Sequence, residues 1–125
     1  MHKGSCLCGA VSYMLATAQK AVTNCHCKMC QKQHGAAFAT YASLPAKDVT
    51  YLMGKALLAS YESSEGILRR FCSVCGSNIE WRGSKQYPGW TSIAIATLDT
   101  PFVPENIKNI HLDSKACWLE MADSR

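Results

Sequence analysis

Seven of the eight cysteines in this 125-residue chain lie in three tight clusters, and these clusters constrain the fold more than any other feature. The clusters are Cys6-Leu-Cys8, Cys25-His-Cys27-Lys-Met-Cys30 and Cys72-Ser-Val-Cys75. Thiols one or two residues apart can converge on one soft metal ion, whereas they are poorly placed to bridge each other. Zinc takes four ligands in closed structural sites and keeps one open position in catalytic sites. The seven thiols therefore predict two zinc ions, one held by four cysteines and one by three.

Disulfide bonds and iron–sulfur clusters also occur in cysteine-rich chains, but both fit this sequence less well than zinc. An even number of cysteines allows a disulfide framework, but such secreted scaffolds are usually shorter and carry an export signal. The first six residues contain no apolar segment of the kind found in signal peptides, so we expect a cytoplasmic protein with reduced thiols. For an iron–sulfur cluster, a C-x-C pair with a distant C-x-x-C pair does not match ferredoxin spacings.

The remaining composition is typical of a globular protein. An apolar fraction of 48% over 125 residues leads us to expect a single domain spanning residues 1–125. No apolar run approaches the length of a membrane span. The net charge of +4 is spread along the chain without a basic stripe, so we expect no nucleic-acid or membrane partner. The sequence leaves the oligomeric state open.

Short runs of β-branched and aromatic residues, separated by turn residues, predict a mainly β fold. We expect one helical turn from Cys27 to Gln33 that ends at Gly35, and a second turn near Pro104 to Asn106. Close strand spacing favours small antiparallel sheets with few short helices, and their small core would benefit from a metal staple. The predicted strands cover residues 10–15, 37–42, 49–53, 57–61, 67–71, 79–82, 90–98 and 107–112.

Two of the three clusters have a glycine directly after their last cysteine, at Gly9 and Gly76. A turn that folds tightly around sulfur ligands needs positive φ at some positions, and glycine adopts it without steric cost. We therefore pair these two clusters in one closed structural zinc site, which links the N-terminal region to the middle of the chain. The ligands of this site are Cys6, Cys8, Cys72 and Cys75.

The third cluster, Cys25, Cys27 and Cys30, has no such glycine and leads into the predicted helix. Helix N-terminal N–H groups would stabilise its thiolates. An open catalytic site is the preferred interpretation. The alternatives are a second closed structural zinc and a thiol cluster that metal occupies only in part. The candidates for the fourth ligand are water, a substrate thiol, His34, His111 and Cys117.

Three ordered segments resemble the signature motifs of the glutathione-dependent formaldehyde-activating enzyme family, which also includes the centromere protein V proteins. These segments are Gly4–Gly9, Cys25–Gln31 and Arg70–Ser77, and the similarity continues at residues 61–66 and 111–118. The resemblance covers nearly the whole chain. At Cys117 the chain departs from the family, where we expect proline before the tryptophan.

The resemblance implies a β-tent fold, a structural zinc on the four-cysteine set and a catalytic zinc on Cys25, Cys27 and Cys30. The named activity of the family joins glutathione and formaldehyde to give S-hydroxymethylglutathione. We therefore expect a zinc-dependent carbon–sulfur lyase that acts on an adduct of an aldehyde with glutathione or another thiol. The alternative is a non-catalytic, zinc-stabilised binding module.

A zinc ion with three thiolate ligands can accept a substrate thiol and lower its pKa, so that the thiolate attacks an aldehyde carbon. Three thiolates weaken Lewis acidity, so we favour thiol activation over carbonyl polarisation. His26 and His34 are candidate proton donors, and Lys28 and Lys32 are candidate partners for glutathione carboxylates; a structural or solvated role is the alternative for each. We assign packing roles to the methionines Met14, Met29, Met53 and Met121.

Overall fold

The computed structural model describes residues 1–16 and 21–121, and it confirms a mainly β fold. The one α-helix in the described part of the chain is α1 (Lys28–His34). No helix in these residues is long and apolar enough to cross a membrane. The described strands are β1 (His2–Ser5), β2 (Ser12–Leu15), β3 (Ala21–Cys25), β4 (Ala39–Pro45), β5 (Val49–Met53), β6 (Leu58–Ser64), β7 (Ile67–Cys72), β8 (Asn78–Arg82), β9 (Trp90–Ala94) and β10 (Lys108–Ile110).

These strands form two sheets. The smaller sheet has the order β1-β2-β5, and the larger has the order β10-β3-β4-β9-β8-β7-β6. Neighbouring strands are antiparallel, as expected, with the exception of β10, which runs parallel to β3. A parallel pair needs a long connection, and here most of the chain lies between the two strands. The pairing brings the C-terminal region against the end of β3.

The main core includes residues from both sheets. Tyr13 and Leu15 of β2 belong to one buried cluster with Leu44 of β4 and Ile93 of β9, and each of these side chains is at most 1% exposed. Burial of this kind contributes roughly 1.5–3 kcal/mol per large apolar side chain. Cys6 and Cys72 belong to the same buried cluster.

A second buried cluster uses the other side of β4 and β9. Ala39 and Tyr41 of β4 pack there with Ala94 of β9, because successive side chains of a strand point to opposite faces. Cys25 and Cys30 belong to this cluster. The two cysteine groups therefore contribute to two separate parts of the core.

The expected helical turn after Cys27 is confirmed, since α1 is followed by Gly35 as a left-handed cap with φ 58°. The expected turn near Pro104 to Asn106 is wrong, because residues 101–107 contain no helix. Proline lacks the N–H that a helix needs and keeps the preceding residue extended. The segment instead leads directly into β10.

Strand boundaries also differ from the expectation. The strand predicted over residues 90–98 ends at Ala94 and is followed by a 3-10 turn, Ile95–Thr97. The hydroxyl of Thr97 donates a hydrogen bond to the carbonyl oxygen of Ala94 at 2.7 Å. Such a side chain competes with a neighbouring strand for the backbone carbonyl, so the strand stops there.

Candidate metal centres

Four cysteines, contributed by two turns, form the first candidate centre. The sulfur atoms of Cys6, Cys8, Cys72 and Cys75 lie within 4.8 Å of one another. Cys8 Sγ lies 3.6 Å from Cys6 Sγ and 3.9 Å from Cys72 Sγ. These separations exclude a disulfide bond of about 2 Å, and they match the edge of about 3.8 Å in a tetrahedron with zinc–sulfur bonds of about 2.3 Å. This group could hold a metal ion.

The turns that carry these thiols need glycine. Gly9 has φ 80° and Gly76 has φ 81°, the left-handed conformation that the sequence suggests for them. The N–H of Gly9 donates to the carbonyl of Cys6 at 3.0 Å, and that of Gly76 donates to the carbonyl of Cys72 at 2.8 Å. Each hydrogen bond folds the backbone tightly behind the sulfurs.

A serine supports the same group. The hydroxyl of Ser77 lies 3.3 Å from Cys75 Sγ and accepts a hydrogen bond from the N–H of Leu7 at 2.9 Å. The hydrogen bond from this hydroxyl lowers the pKa of Cys75 to about 5, so the side chain favours the thiolate form that metals bind. Ser77 thus links the turn between β1 and β2 to the turn between β7 and β8.

Three cysteines form the second candidate centre, again with sulfur atoms within 4.8 Å of one another. Cys25 ends β3, Cys27 is the N-cap of α1, and Cys30 lies in the first turn of α1. The N–H of Cys30 donates a hydrogen bond to Cys27 Sγ at 3.4 Å. Cys25 and Cys30 are buried and Cys27 is partly exposed, so the group reaches the surface at Cys27.

The described residues provide no fourth ligand from histidine, cysteine, aspartate or glutamate within 4.8 Å of these three thiols. His34 instead contacts the hydroxyl of Tyr41 through Nε2 at 3.0 Å. His111 and Cys117 are exposed and lie outside the group. The structure therefore brings the seven cysteines together in the groups of four and three that the sequence predicts.

His26, between two of the cysteines, holds the loop in place. Its side chain is fully buried, and its Nε2 lies 2.9 Å from Oδ1 of Asn109 on β10. Its backbone N–H donates to the carbonyl of Ile110 at 3.1 Å, and its carbonyl accepts a hydrogen bond from Gln31 Nε2 at 2.7 Å. These contacts favour the structural role for His26 over the role of proton donor.

Arg69 is a site residue that the sequence analysis missed. Its guanidinium group is buried, and Nη1 donates hydrogen bonds to Cys30 Sγ at 3.6 Å and to Gln33 Oε1 at 2.9 Å. Its Nε donates to the hydroxyl of Ser63 at 2.9 Å. Within the described chain, no ion pair joins Arg69 to a carboxylate. The partners of this cation in the described chain are therefore Cys30 Sγ and the neutral oxygen atoms of Gln33 and Ser63.

A histidine–tyrosine pair lies beside the same group. Burial, together with the charge of Arg69, lowers the pKa of His34 below 6.5, so the imidazole is neutral at pH 7. Burial raises the pKa of Tyr41, so the phenol keeps its proton. Tyr41 packs in the buried cluster that contains Cys25 and Cys30, although no local sequence signal distinguishes it from a core residue.

A family model of glutathione-dependent formaldehyde-activating enzymes matches residues 1–114. The chain belongs to this family. A provisionally named glutathione-dependent formaldehyde-activating enzyme from Halomonas elongata is 26% identical over 127 residues, which cover 95% of this chain and 80% of that protein. The crystal structure of a Rhodobacter sphaeroides protein shares the fold, with a TM-score of 0.69 and 22% identity over 86% of this chain and 98% of that one.

Proposed function

We propose that the chain is a zinc-dependent carbon–sulfur lyase that forms and cleaves the adduct of a thiol and an aldehyde. The observation that carries this proposal is the group of three thiols that no described histidine, cysteine or carboxylate completes. The names of the family and of the Halomonas relative support glutathione and formaldehyde as substrates. The adduct would be S-hydroxymethylglutathione.

The donor atoms of both groups fit zinc. All seven are thiols, and the sulfur separations of 3.6 and 3.9 Å in the first group suit a tetrahedral shell. We assign the four-cysteine group to a structural zinc and the three-cysteine group to a second, catalytic zinc. When bound there, zinc would have one position for a substrate thiol, and it would lower the pKa of that thiol so that the nucleophilic thiolate forms.

The protein must also move one proton. The sulfur of the thiol forms a bond to the aldehyde carbon, the C=O π pair becomes an alkoxide, and the thiol proton ends on that oxygen. We assign the proton transfer to His34 and Tyr41. Neutral His34 accepts the thiol proton, and the Tyr41 hydroxyl gives its proton to the alkoxide. The proton on His34 then passes to the Tyr41 phenolate across their 3.0 Å contact, which restores both side chains. In the reverse direction the same pair works with the roles exchanged.

We also propose a cytoplasmic location. All eight cysteines are free thiols in the structure. Cysteine must be deprotonated and reduced to bind a metal, and the cytosol keeps thiols reduced. If the thiols must stay reduced to bind metal, an oxidising buffer should release the metal. The metal content of the protein before and after this treatment measures the loss.

Adduct formation from glutathione and formaldehyde tests the function. With both sites loaded with zinc, we expect a rate above the uncatalysed background, measured by exchange NMR. Cys27→Ser should abolish the increase and keep the first metal. Cys117→Ser is the matched control, because this exposed thiol lies outside both groups. If the fully loaded wild type forms the adduct only at the background rate, the lyase proposal is wrong and the non-catalytic binding module is favoured. A panel of other thiols and aldehydes would reveal a different substrate.

A further inference from the structure

A cavity of about 350 Å³ lies between α1 and the hairpin of β6 and β7. This volume is at the lower end of the range for small-molecule sites. The helix contributes residues at spacings of three and four, which share one face. The lining residues are Met29, Lys32, Gln33, Tyr61, Ser63 and Arg69.

The cavity lies next to the three-thiol group. Arg69 lines it and also donates the hydrogen bond to Cys30 Sγ at 3.6 Å. A single side chain therefore separates a molecule in the cavity from the cluster. An extended tripeptide spans about 10 Å, which is longer than the 3.6 Å contact that joins Arg69 Nη1 to Cys30 Sγ.

Lys32 gives the lining a positive charge that favours an anion, whereas the Arg69 guanidinium already contacts Cys30 and Gln33. Among the described residues that line the cavity, Lys32 and Arg69 are cationic and none is acidic. Glu62 lies between two lining residues in sequence, but its carboxylate accepts a hydrogen bond from the N–H of Gly66 at 2.8 Å, in the hairpin turn. Lys32 forms no ion pair with any residue in the described part of the chain. The positive charge of Lys32 is therefore available to a ligand.

Apolar surface completes the cavity. Met29 is 48% exposed and Tyr61 is 64% exposed. The packing role expected for Met29, Met53 and Met121 is wrong, because all three side chains are exposed. Two large apolar side chains exposed in a groove with convergent polar groups are typical of a ligand site. Together with Lys32 they suit a molecule that has both aliphatic segments and a carboxylate.

We propose that this cavity binds the non-reacting part of an anionic peptide thiol, and that Lys32 selects for its carboxylate. The inference rests on the proposed function and adds the position and the charge of the substrate. Lys28, one turn earlier on the same helix, does not line the cavity. It has the same charge and is therefore the matched control.

Binding of S-methylglutathione, which has no free thiol, tests the cavity by titration calorimetry on the zinc-loaded full chain. We expect Lys32→Ala to weaken binding about fivefold, the effect of losing about 1 kcal/mol of ion pairing. Lys32→Arg should stay near the wild type, and Lys28→Ala should change binding less than about twofold. Undetectable binding to the wild type, or equal effects of the two alanine variants, would overturn the proposal.

Kinetics separate this proposal from the proposed function. Lys32→Ala should raise KM for glutathione with kcat unchanged, and it should leave KM for the uncharged thiol 2-mercaptoethanol unaltered. An active enzyme whose KM for glutathione does not respond to Lys32→Ala would remove the cavity proposal alone. The opposite result is also informative. If the protein binds S-methylglutathione through Lys32 but forms the adduct only at the background rate, the proposed lyase activity is wrong and the proposed binding site stands.

Discussion

Nη1 of Arg69 donates a hydrogen bond to Sγ of Cys30 across 3.6 Å, although the two residues are 39 positions apart. Arg69 is only 3% exposed, and a buried cation is costly unless an anion accompanies it. A divalent ion with three thiolate ligands carries one net negative charge. The guanidinium group would therefore balance the charge of the three-thiol group if a divalent ion were bound there.

Removing this cation should weaken the second metal site. We expect Arg69→Met to lower the metal affinity of the three-thiol group about 10- to 100-fold, as is usual for partners of metal ligands. Arg69→Lys, which keeps the charge, should lose less. The measurement is competition with a chromophoric chelator, and the four-thiol group of the same sample is the internal control. Equal loss at both groups would show that Arg69 acts through overall stability.

The two metal groups should differ in their effect on folding. Cys72→Ser removes a proposed ligand from the group that joins the two sheets, and structural zinc sites contribute on the order of 10 kcal/mol. We expect this variant to be unfolded or severely destabilised. Cys27→Ser should remain folded and lose only the second metal. Circular dichroism melting and metal analysis check both variants, and an equal loss of folding would contradict the assigned roles.

His34 should make stability depend on pH. Its pKa in the folded protein lies below the ordinary value of 6.5, so the unfolded chain binds the proton more tightly. The stability contributed by neutral His34 is therefore fully present above about pH 6.5, and it is lost as the pH falls from there towards the folded pKa. Urea unfolding at about pH 7.5 and about pH 5.5 should show a smaller pH effect in His34→Gln than in the wild type. Identical pH effects would exclude this contribution.

Two glycines with positive φ offer a matched pair of substitutions. Gly54 has φ 76° and Gly89 has φ 80°. A Cβ at Gly54 would overlap the backbone carbonyl of Ala10, whereas a Cβ at Gly89 would have no atom of the described residues within 4 Å. Gly89→Ala should cost about 1 kcal/mol in free energy of unfolding. Gly54→Ala should cost at least about 3 kcal/mol, because strain and overlap add. Similar melting temperatures for the two variants would contradict this.

Local patterns in the sequence account for much of the candidate site. The division of seven cysteines into four and three, the helix after Cys27 and its end at Gly35 all depend on spacings of a few residues. The positive φ of Gly9 and Gly76 follows from the same local geometry. A single domain, the metal-ligand roles and the cytoplasmic location stay predictions.

No local sequence pattern predicts the other residues of the candidate site. Arg69 and Asn109 contact the cysteine loop across 39 and 83 positions, and only the pairing of strands brings them there. The parallel position of β10 is equally remote from any local pattern. The prediction of a helical turn near Pro104 fails because turn residues alone do not distinguish a short helix from an extended connection.

The pairing of β10 with β3 also determines when, during synthesis of the chain, the cysteine loop can be fixed in place. The loop that carries Cys25, Cys27 and Cys30 is held by Asn109, which lies 83 residues after His26. At about 5–20 residues per second, a ribosome needs about 4–17 s to make that stretch. During those seconds a growing chain displays its three thiols before the strand that immobilises them has been synthesised. The three-thiol group can therefore reach its final geometry only after Asn109 has been synthesised.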